Sequence, residues 1–471
     1  MRAKEERWLP PVLHLFELHG HRLAFDAGSG SLLELDETAW RLLRAVLRET
    51  GAGEPTLRAP TSGEPAQDRE AWAEIESLRK TGVLLAPLRV PARPAPVLKA
   101  VCLHVAHSCQ MQCSYCFASG GNYGGETQLM SLDTAKAAVD FLLGSSPGVG
   151  RWAIDFFGGE PLLNWPVVVG TVHYAETQAE RLGGSVHFTL TTNGLALTAE
   201  RLSFLDEHEV DLVVSIDGRQ RVHDALRRTR TGLPTWEQAV NAARRAAATR
   251  EAQTRVNEEG DRLFPRTRPT LWVRGTFTRH NLDFSHDAAC LFALGFPHVS
   301  LEPMCGGPPD LALRAEDIPS IHAEYERLAW QCARERNHHF YHFELDPTAG
   351  PCVSRRLAAC GAGSEYLAVA PAGDLYVCHQ LMGEPAFRMG DVWRGITCPE
   401  VGERFWKYDV TDSECASCWA RFLCGGGCRA AAFFEHGDIG RPPLLECELQ
   451  KKRWECALWL RCMHMVAREE N

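Results

Sequence analysis

The chain has 471 residues, of which 45% are hydrophobic, and its formal net charge at pH 7 is −10. This length supports two to four domains with large cores, and the acidic balance argues against a general nucleic-acid or membrane-surface binder. We find neither the apolar run of about 7–15 residues that marks a signal peptide nor the roughly 20 apolar residues of a membrane span. We therefore predict a cytoplasmic protein.

Residues 1–86 have the pattern of a small α+β module. Three apolar runs separated by Gly-containing turns predict three strands, at 12–18, 22–25 and 31–35. Two amphipathic helices follow, the first capped by Asp36. Two interpretations are open for this module, a packing cap on the main domain or a recognition element. The Pro-rich stretch 87–98 is predicted to be a semi-rigid linker.

From 99 to about 340, predicted strands and helices alternate. The candidate strands are 100–106, 152–157, 186–191, 211–216, 270–277 and 298–301. Repeated βα units predict a parallel sheet, either open and doubly wound or an incomplete barrel, with the chemistry at the carboxyl ends of the strands. Four distinctive segments follow the first four strands: a cysteine loop at 109–116, GGEP at 158–161, TTNG at 191–194 and SIDG at 215–218.

An Arg-rich segment, 219–268, separates the fourth and fifth predicted strands. We interpret it as a solvated helix with a mobile loop, and a docking surface for an acidic peptide is the alternative. Cysteines become frequent from Cys352 onward, and a long amphipathic helix is predicted at 446–466.

The cysteine loop has the spacing Cx3Cx2C at Cys109, Cys113 and Cys116. Three thiolates can hold three corners of a [4Fe–4S] cube and leave one iron without a protein ligand. A structural zinc ion needs a fourth ligand, so His104 or His107 keeps a Cys3His zinc site open as an alternative.

These motifs together resemble the radical S-adenosylmethionine enzymes: Cx3Cx2C with Tyr115 before the last cysteine, and then GGEP after the second strand. The resemblance implies that the open iron binds S-adenosylmethionine, which is cleaved to a 5′-deoxyadenosyl radical. It also implies that Glu160 binds the cofactor's ammonium group. The implied set of cofactor contacts is Tyr115, Gly158, Gly159, Glu160, Asn193, Ser215, Asp217, Arg274 and Glu302.

A second group of cysteines resembles the SPASM extension of peptide-modifying radical enzymes, which carries two auxiliary [4Fe–4S] clusters. The resemblance implies that one auxiliary cluster is held by Cys352, Cys360, Cys378 and Cys428. The other is then held by Cys415, Cys418, Cys424 and Cys447. Two alternatives stay open: a pair of zinc ribbons, or an auxiliary iron that Cys352 leaves open to substrate.

Longer stretches, among them WAIDFFGGEPLLNW and CELQKKRWECAL, are similar to thioether-forming maturases of six-cysteines-in-forty-five-residues (ranthipeptide) precursors. The implied fold is α/β. A partial (β/α)6 TIM-like barrel (99–340) lies between a winged-helix-like peptide-recognition module and a C-terminal SPASM domain (341–471). The implied reaction joins a cysteine sulfur to a carbon in a precursor peptide whose leader is bound by the first module. A flavodoxin or ferredoxin would supply electrons.

His379 follows Cys378 at the position where anaerobic sulfatase maturases carry an Asp base, so His379 is the candidate catalytic residue, with a buried structural histidine as the alternative. A second possible reaction is crosslinking of Cys to Asp or Glu in a quinohemoprotein amine dehydrogenase subunit. A zinc-dependent regulator with a DNA-binding winged helix is a third hypothesis, which the acidic charge balance disfavours.

Overall fold

The computed structural model describes residues 7–50, 63, 65–90, 95–257, 270–335, 337–344, 357 and 360–469. Along these ranges a small N-terminal module is followed by a parallel sheet with helices and then by the cysteine-rich C-terminal region. Residues 51–62, residues 258–269 of the Arg-rich segment, and Cys352 lie outside the described residues.

The N-terminal module is a three-stranded antiparallel sheet with two helices. Its elements are β1 (Arg7–Leu9), β2 (Leu13–Leu18), β3 (His21–Asp26), β4 (Leu32–Glu34), α1 (Glu37–Thr50) and α2 (Ala66–Lys80), and the sheet order is β2-β3-β4. Because side chains alternate along a strand, Leu13 and Ala24 pack with α1 and α2. Phe16 and Phe25 face the opposite way and join the core of the main body. The face of the module that carries Phe16 and Phe25 therefore packs on the main body, as the packing-cap interpretation expects.

The strand β1 pairs outside this sheet with β5 (Leu88–Val90), in antiparallel register. Leu88 is 1% exposed, and it packs in a small apolar cluster with Leu357, Val410 and Phe422. Burial of a leucine stabilises the folded chain by about 1.5–3 kcal/mol. This anchoring corrects the prediction of an unbroken linker over 87–98, because three of those residues form a strand.

The six predicted βα strands are all present. They are β6 (Ala100–His107), β8 (Arg151–Gly158), β9 (Ser185–Thr192), β10 (Asp211–Ser215), β11 (Leu271–Phe277) and β12 (His298–Pro303), with the short β7 (Gln128–Leu129) beside β6 and β13 (His339–Phe340) beside β12. The helices between them are α3 (Leu132–Gly144), α4 (Trp165–Arg181), α5 (Ala199–Glu207), α6 (Gln220–Leu226), α7 (Trp236–Asn257), α8 (Phe284–Ala293) and α9 (Ile318–Arg334).

The strand order decides between the two predicted architectures. The parallel strands run β6-β8-β9-β10-β11-β12-β13, so each βα unit lies beside the one that precedes it in the chain. A doubly wound sheet reverses its order at a switch point, and the described strands from β6 to β13 show no such reversal. With right-handed crossovers, a single direction of winding gives a partial barrel.

The C-terminal region extends the same sheet. Its elements are β14 (Tyr366–Val369), β15 (Asp374–Tyr376), β16 (Arg388–Asp391), β17 (Gly395–Ile396), α10 (Pro399–Trp406), α11 (Arg421–Cys424), α12 (Arg429–His436) and α13 (Leu444–Glu469). β14 pairs parallel with β6, and α13 packs along α9, where Arg453 Nε donates to Tyr325 Oη at 2.8 Å. Across the described ranges, none of the helices has the length and apolarity needed to cross a bilayer.

Candidate active site

The carboxyl ends of the barrel strands surround one cavity. It is lined by predicted site residues from six strands or the loops that follow them, namely Cys109, Cys113, Tyr115, Cys116, Gly158, Gly159, Asn193, Ser215, Arg274 and Glu302. Two further predicted contacts, Glu160 and Asp217, are fully buried at the same edge. The structure thus brings the sequence-predicted cofactor residues together, and their contacts with a cofactor stay predictions.

The cysteine loop is held by the segment that follows α6. Gln112 N donates to Arg228 O and Ser114 N to Leu226 O, both at 2.8 Å. The Arg230 side chain also donates to Cys109 O at 2.7 Å. These three hydrogen bonds fix the loop through its main-chain groups and do not use the cysteine sulfurs.

Glycine is required where the GGEP loop touches the cysteine loop. A Cβ atom on Gly159 would lie 2.2 Å from Ser108 O and 2.9 Å from Gly121 Cα. Gly158 has a φ of +120°, which L side chains rarely adopt. The two backbones can approach each other only because these positions carry no side chain.

The Glu160 carboxylate is turned toward the loop after β9. Its Oε1 accepts hydrogen bonds from Thr192 Oγ1 at 2.7 Å and Leu162 N at 3.1 Å, and its Oε2 accepts one from Asn193 N at 2.8 Å. Burial raises the pKa of Glu160, and these three donors oppose the rise. Because a carboxylate has about four acceptor positions, one remains for the ammonium group predicted from the motif.

Asp217 is held by Tyr115 and a buried arginine. Tyr115 Oη donates to Asp217 Oδ2 at 2.7 Å, Thr276 N donates to Oδ1 at 3.0 Å, and Arg227 Nη1 donates to Tyr115 Oη at 2.8 Å. Burial raises the pKa of Asp217, and the positive charge of Arg227 opposes this rise. These side chains are thus positioned by one another.

Arg227 is the site residue that sequence reasoning missed. It is only 8% exposed, it lines the cavity, and its Nε has no hydrogen-bond partner among the described residues. In the sequence it begins the run RRTR, where the neighbouring Arg228 and Arg230 are exposed. No periodicity separates the buried arginine from its solvated neighbours, so the sequence contained no signal for its role.

The remaining predicted contacts differ in their surroundings. Asn193 Nδ2 lies 3.7 Å from Cys109 Sγ, and Arg274 Nε lies 3.7 Å from Glu302 Oε1. Burial would raise the pKa of Glu302, but His342, at 3.1 Å, and Arg274 hold it well below its usual range. Glu302 is therefore a carboxylate at neutral pH and keeps Arg274 at the cavity wall.

The C-terminal region contributes residues to the same cavity. His379 and Gln380, directly after Cys378, line it together with Cys305 and Phe434. Tyr366 Oη lies 2.9 Å from His379 Nδ1, which fixes the orientation of the imidazole ring. Burial lowers the pKa of His379 to about 4, so the ring is neutral at pH 7. This cavity is therefore lined both by the cysteine loop and by residues next to Cys378 of the second cysteine group.

The seven described cysteines of the two predicted auxiliary ligand sets fall into two groups. Cys360, Cys378 and Cys428 lie near one another, so that after burial the neighbouring cysteines add to the raised pKa of Cys378 and Cys428. A second group interacts in the same way and consists of Cys415, Cys418, Cys424 and Cys447. These two groups contain the described members of the two predicted ligand sets, and their role as cluster ligands stays a prediction.

The spacing of the sulfurs bears on the zinc alternatives. A tetrahedral zinc with bonds of about 2.3 Å holds its sulfur ligands roughly 3.8 Å apart, whereas the corners of a four-iron cube are farther apart. Among the described residues, three metal-ligating atoms lie within 4.8 Å of one another at one place only, and that place contains no cysteine. Among the described residues the sulfurs therefore do not form a ready-made tetrahedral zinc site, and the assignment of iron–sulfur clusters stays a prediction.

Two buried guanidinium groups also fit anionic clusters. Arg421 is 1% exposed and Arg429 is 4% exposed, and the Nε and Nη2 of each have no acceptor among the described residues. Arg421 interacts electrostatically with Cys418, and Arg429 stacks on Tyr408, whose hydroxyl lies 3.5 Å from Cys415 Sγ. Cluster sulfurs accept hydrogen bonds from such donors.

Residues 103–251 match the model of the radical SAM superfamily. This segment, from β6 into α7, is therefore a radical SAM domain, and it includes the cysteine loop and the GGEP loop. Peptide maturases are among the relatives of the chain. It is 20% identical over 396 residues to the radical SAM cyclopropyl synthase TigE of Paramaledivibacter caminithermalis, covering 79% of this chain and 75% of that protein. It is 26% identical over 360 residues to the mycofactocin maturase MftC of Mycobacterium tuberculosis, covering 71% and 79%.

One further relative matches only a short part of this chain. An uncharacterized protein of Methanocaldococcus jannaschii is 29% identical over 138 residues, and the match covers 29% of this chain and 45% of that protein. Among solved structures, native anSMEcpe with bound AdoMet superposes with a TM-score of 0.61 at 17% identity, covering 79% of this chain and 99% of that one. Streptococcus suis SuiB bound to precursor peptide SuiA gives 0.50 at 12% identity, covering 92% and 98%. These two likenesses concern the fold.

Proposed function

We propose that this protein is a radical S-adenosylmethionine enzyme that forms thioether crosslinks in a ribosomally made precursor peptide. The observation that carries the proposal is the shared cavity, lined by Cys109, Cys113 and Cys116 on one side and by His379 on the other. Such an arrangement suits a reaction in which a radical centre and a peptide sulfur must meet at close range.

The proposed cofactors are S-adenosylmethionine and three [4Fe–4S] clusters. The first cluster would be held by Cys109, Cys113 and Cys116. The two auxiliary clusters would be held by Cys352, Cys360, Cys378 and Cys428, and by Cys415, Cys418, Cys424 and Cys447. When bound, these groups supply a reducing electron and a nucleoside radical that removes hydrogen from carbon. A flavodoxin or ferredoxin is the proposed source of electrons.

The proposed reaction balances without an added oxidant. One C–H bond and one S–H bond of the peptide break, and one C–S bond forms. The hydrogen atom leaves on 5′-deoxyadenosine, the thiol hydrogen leaves as a proton, and the electron that remains replaces the one used to cleave the sulfonium. The net products are methionine, 5′-deoxyadenosine, the crosslinked peptide and one proton.

The cavity residues have distinct proposed roles. Arg227 and Arg274 place positive charge where the carboxylate of the cofactor is expected, and the Glu160 carboxylate has one acceptor position left for its ammonium group. His379, held by Tyr366, is proposed to orient the peptide's sulfur and to take its proton transiently. Its pKa of about 4 makes it a weak base, so we expect orientation to be its larger contribution.

Aromatic side chains at the cavity suit a peptide substrate. Phe117 is 45% exposed and Phe434 is 46% exposed, and both line the cavity from opposite regions of the chain. Exposed aromatic rings at a cavity rim provide apolar contact area for substrate side chains. We propose that they hold the modified segment of the peptide.

We further propose that residues 1–86 bind the leader of the precursor. Their sheet has β2 and β4 as its outer strands, and an extended peptide can add to such an edge through main-chain hydrogen bonds. The similarity in fold to SuiB bound to its precursor peptide supports this assignment. The proposed divisions are a recognition module (1–86), a connecting segment (87–98), a barrel (99–340) and a SPASM domain (341–471).

Anaerobic co-expression with a candidate Cys-containing precursor tests the function. We expect the peptide to lose two hydrogens per crosslink and one iodoacetamide-reactive thiol for each such loss. A precursor with Cys→Ala substitutions and an enzyme with Cys113→Ala should both give unmodified peptide. Loss of two hydrogens with every thiol still reactive would refute thioether formation and would indicate carbon–carbon bond formation instead. An unchanged peptide, together with no cleavage of S-adenosylmethionine by reduced enzyme, would refute radical chemistry.

A further inference from the structure

Two histidines and a glutamate converge on the outer, helical side of the barrel. They are His173 and Glu176 on α4, and His208, which directly follows the last residue of α5. Their ligating atoms all lie within 4.8 Å of one another, and both Glu176 oxygens are 3.0 Å from His208 Nδ1. None of these residues takes part in the site described above.

The local fold keeps the three side chains in this arrangement. His173 and Glu176 are three positions apart, so they lie on the same face of α4. The main chain of His208 is fixed because its N–H donates to Phe204 O at 3.1 Å. The ring of Phe204 packs against both imidazoles, with ring centroids 4.4 Å from His208 and 5.5 Å from His173. Trp165 packs behind Phe204 at 5.3 Å.

We propose that His173, Glu176 and His208 form a binding site for a divalent transition-metal ion, with zinc as the preferred ion. Two imidazole nitrogens and one carboxylate oxygen are a ligand set that zinc uses with water in the fourth position. The two histidine rings are nearly perpendicular, at 82°, with centroids 4.8 Å apart. Two ring nitrogens can therefore approach one ion without the rings stacking on each other.

The spacing of the donors is close to what zinc needs. Ligand atoms at about 2.0–2.1 Å from a tetrahedral zinc lie roughly 3.3 Å apart. The Glu176 oxygens are already 3.0 Å from the His208 nitrogen, so that pair would separate only slightly when a metal replaces their hydrogen bond. The approach of His173 is the larger adjustment. His173 is exposed, so its side chain has room to rotate toward the ion.

The position of the site gives the ion a structural role. Helix α4 follows the GGEP loop, and α5 follows the loop that contains Asn193, whose main chain binds Glu160. A metal between the two helices would fasten the outer ends of the βα units whose inner ends carry the cofactor loops. The proposed metal site is independent of the reaction proposed above, because its three ligands lie on α4 and directly after α5, outside the cavity.

Zinc titration of the anaerobically reconstituted holoenzyme tests the site. Free zinc is buffered with a fluorescent zinc chelator, and wild type is compared with His173→Ala and Glu176→Gln. We expect each variant to bind one equivalent of zinc at least about tenfold more weakly than wild type, since even changes outside the ligand shell often cost this factor. Because His173 is exposed, we expect its variant to fold and to keep its iron content.

Two matched controls identify the site. Glu180→Gln removes an exposed carboxylate one turn farther along α4, and His280→Ala removes an exposed imidazole elsewhere. Both should bind zinc like wild type, and anomalous diffraction at the zinc edge from soaked crystals should place the ion between α4 and α5. If wild type and His173→Ala bind zinc equally, or if no zinc lies between the helices, then Glu176 and His208 form an ion pair only and the proposal is wrong.

Discussion

The barrel edge and the cysteine-rich C-terminal region differ in how completely their buried charged side chains are hydrogen-bonded. At the barrel edge, Glu160 accepts three hydrogen bonds, and Asp217 is held by Tyr115 and Thr276. In the C-terminal region, the Nε and Nη2 atoms of both Arg421 and Arg429 have no acceptor among the described residues, whereas Arg227 at the barrel edge lacks one for Nε. Leaving such donors unpaired costs about 1–3 kcal/mol each, more when they are charged.

The difference suggests that the protein itself holds the barrel loops in place, whereas the C-terminal region needs its cofactors to complete its structure. The barrel loops are held in position by contacts within the protein. Apart from α13, the C-terminal region has shorter elements than the barrel, and its buried thiols have raised pKa values, Cys378 and Cys447 each to about 12, as does Cys113 in the cysteine loop. Metal ligands must be deprotonated, and binding a cluster adds its free energy to folding. We therefore expect the C-terminal region, and not the barrel, to depend on its clusters for stability.

Removing one cluster from each region should have the largest effects and should show which region depends on its cluster. We expect Cys113→Ala and Cys424→Ala each to lower product formation by at least about 1000-fold and each to lower the iron content by about four per chain. Only Cys424→Ala should make the C-terminal region sensitive to limited proteolysis. Mass spectrometry of the fragments locates the cleavage sites.

The control for this pair is Cys398→Ala, which changes a cysteine outside the predicted ligand sets. It should keep its iron, its activity and its protease resistance. Cleavage that begins in the barrel of Cys113→Ala, with an intact C-terminal region in Cys424→Ala, would mean that the barrel, and not the C-terminal region, depends on its cluster for stability.

The buried arginine tests how strongly the barrel edge is stabilised from within. Arg227→Leu removes the cation beside Asp217 and Tyr115, so an uncompensated carboxylate is left buried. Loss of one partner of a buried pair costs about 3–5 kcal/mol. We expect a correspondingly lower free energy of unfolding, measured by chemical denaturation. Arg228→Gln, next to it but exposed, should stay within about 0.5 kcal/mol of wild type.

Glu160→Gln is expected to have a smaller effect at the same edge. The amide keeps one acceptor oxygen but brings an NH2 group either against Asn193 N or against Thr192 Oγ1 and Leu162 N. We expect a loss of about 1–3 kcal/mol in stability and weaker binding of S-adenosylmethionine by isothermal titration. Unchanged affinity together with lower stability would assign Glu160 to positioning the loop after β9, with no contact to the cofactor.

Much of the barrel could be predicted from the sequence because its signals are local. Each predicted strand is a short apolar run, and each of the first four is followed by a distinctive loop, so both strand positions and the shared edge follow from pattern and chain direction. The direction of winding was left open, since apolar runs do not encode strand order. The register of β14 beside β6 joins residues more than 250 positions apart, and no local pattern reports such a pairing.

The parts of the site that escaped prediction depend on burial of polar groups. Arg227 stands in a run that composition alone assigns to solvent, yet the turn after α6 places it beside Tyr115. The three-residue strand at Leu88–Val90 was hidden in a Pro-rich stretch because its partner, Arg7–Leu9, is about 80 positions away. His173, Glu176 and His208 also come together only through the packing of α4 against the end of α5.

The smallest effect on stability is expected for a partly exposed ion pair that lies away from both regions. It serves as a baseline for the two regions compared above. His187 Nε2 lies 3.0 Å from Asp211 Oδ2, at the amino-terminal ends of β9 and β10. The hydrogen bond to Asp211 raises the pKa of His187 above its ordinary value of 6.5, whereas burial lowers it. For Asp211, burial would raise the pKa, but the bond to His187 and neighbouring donors lower it below 3.8.

The sign of the pH dependence follows from these shifts. A raised histidine pKa stabilises the fold fully below about pH 6.5 and loses this contribution as the pH rises through the folded-state value. The lowered pKa of Asp211 contributes above about pH 4, so the pair is strongest between these limits. With the solvent screening expected for such exposure, His187→Gln should cost about 0.5–1 kcal/mol at pH 6 and less at pH 9. Anaerobic denaturation of both proteins at the two pH values measures this, and an equal loss at each would mean that packing, and not charge, connects His187 to Asp211.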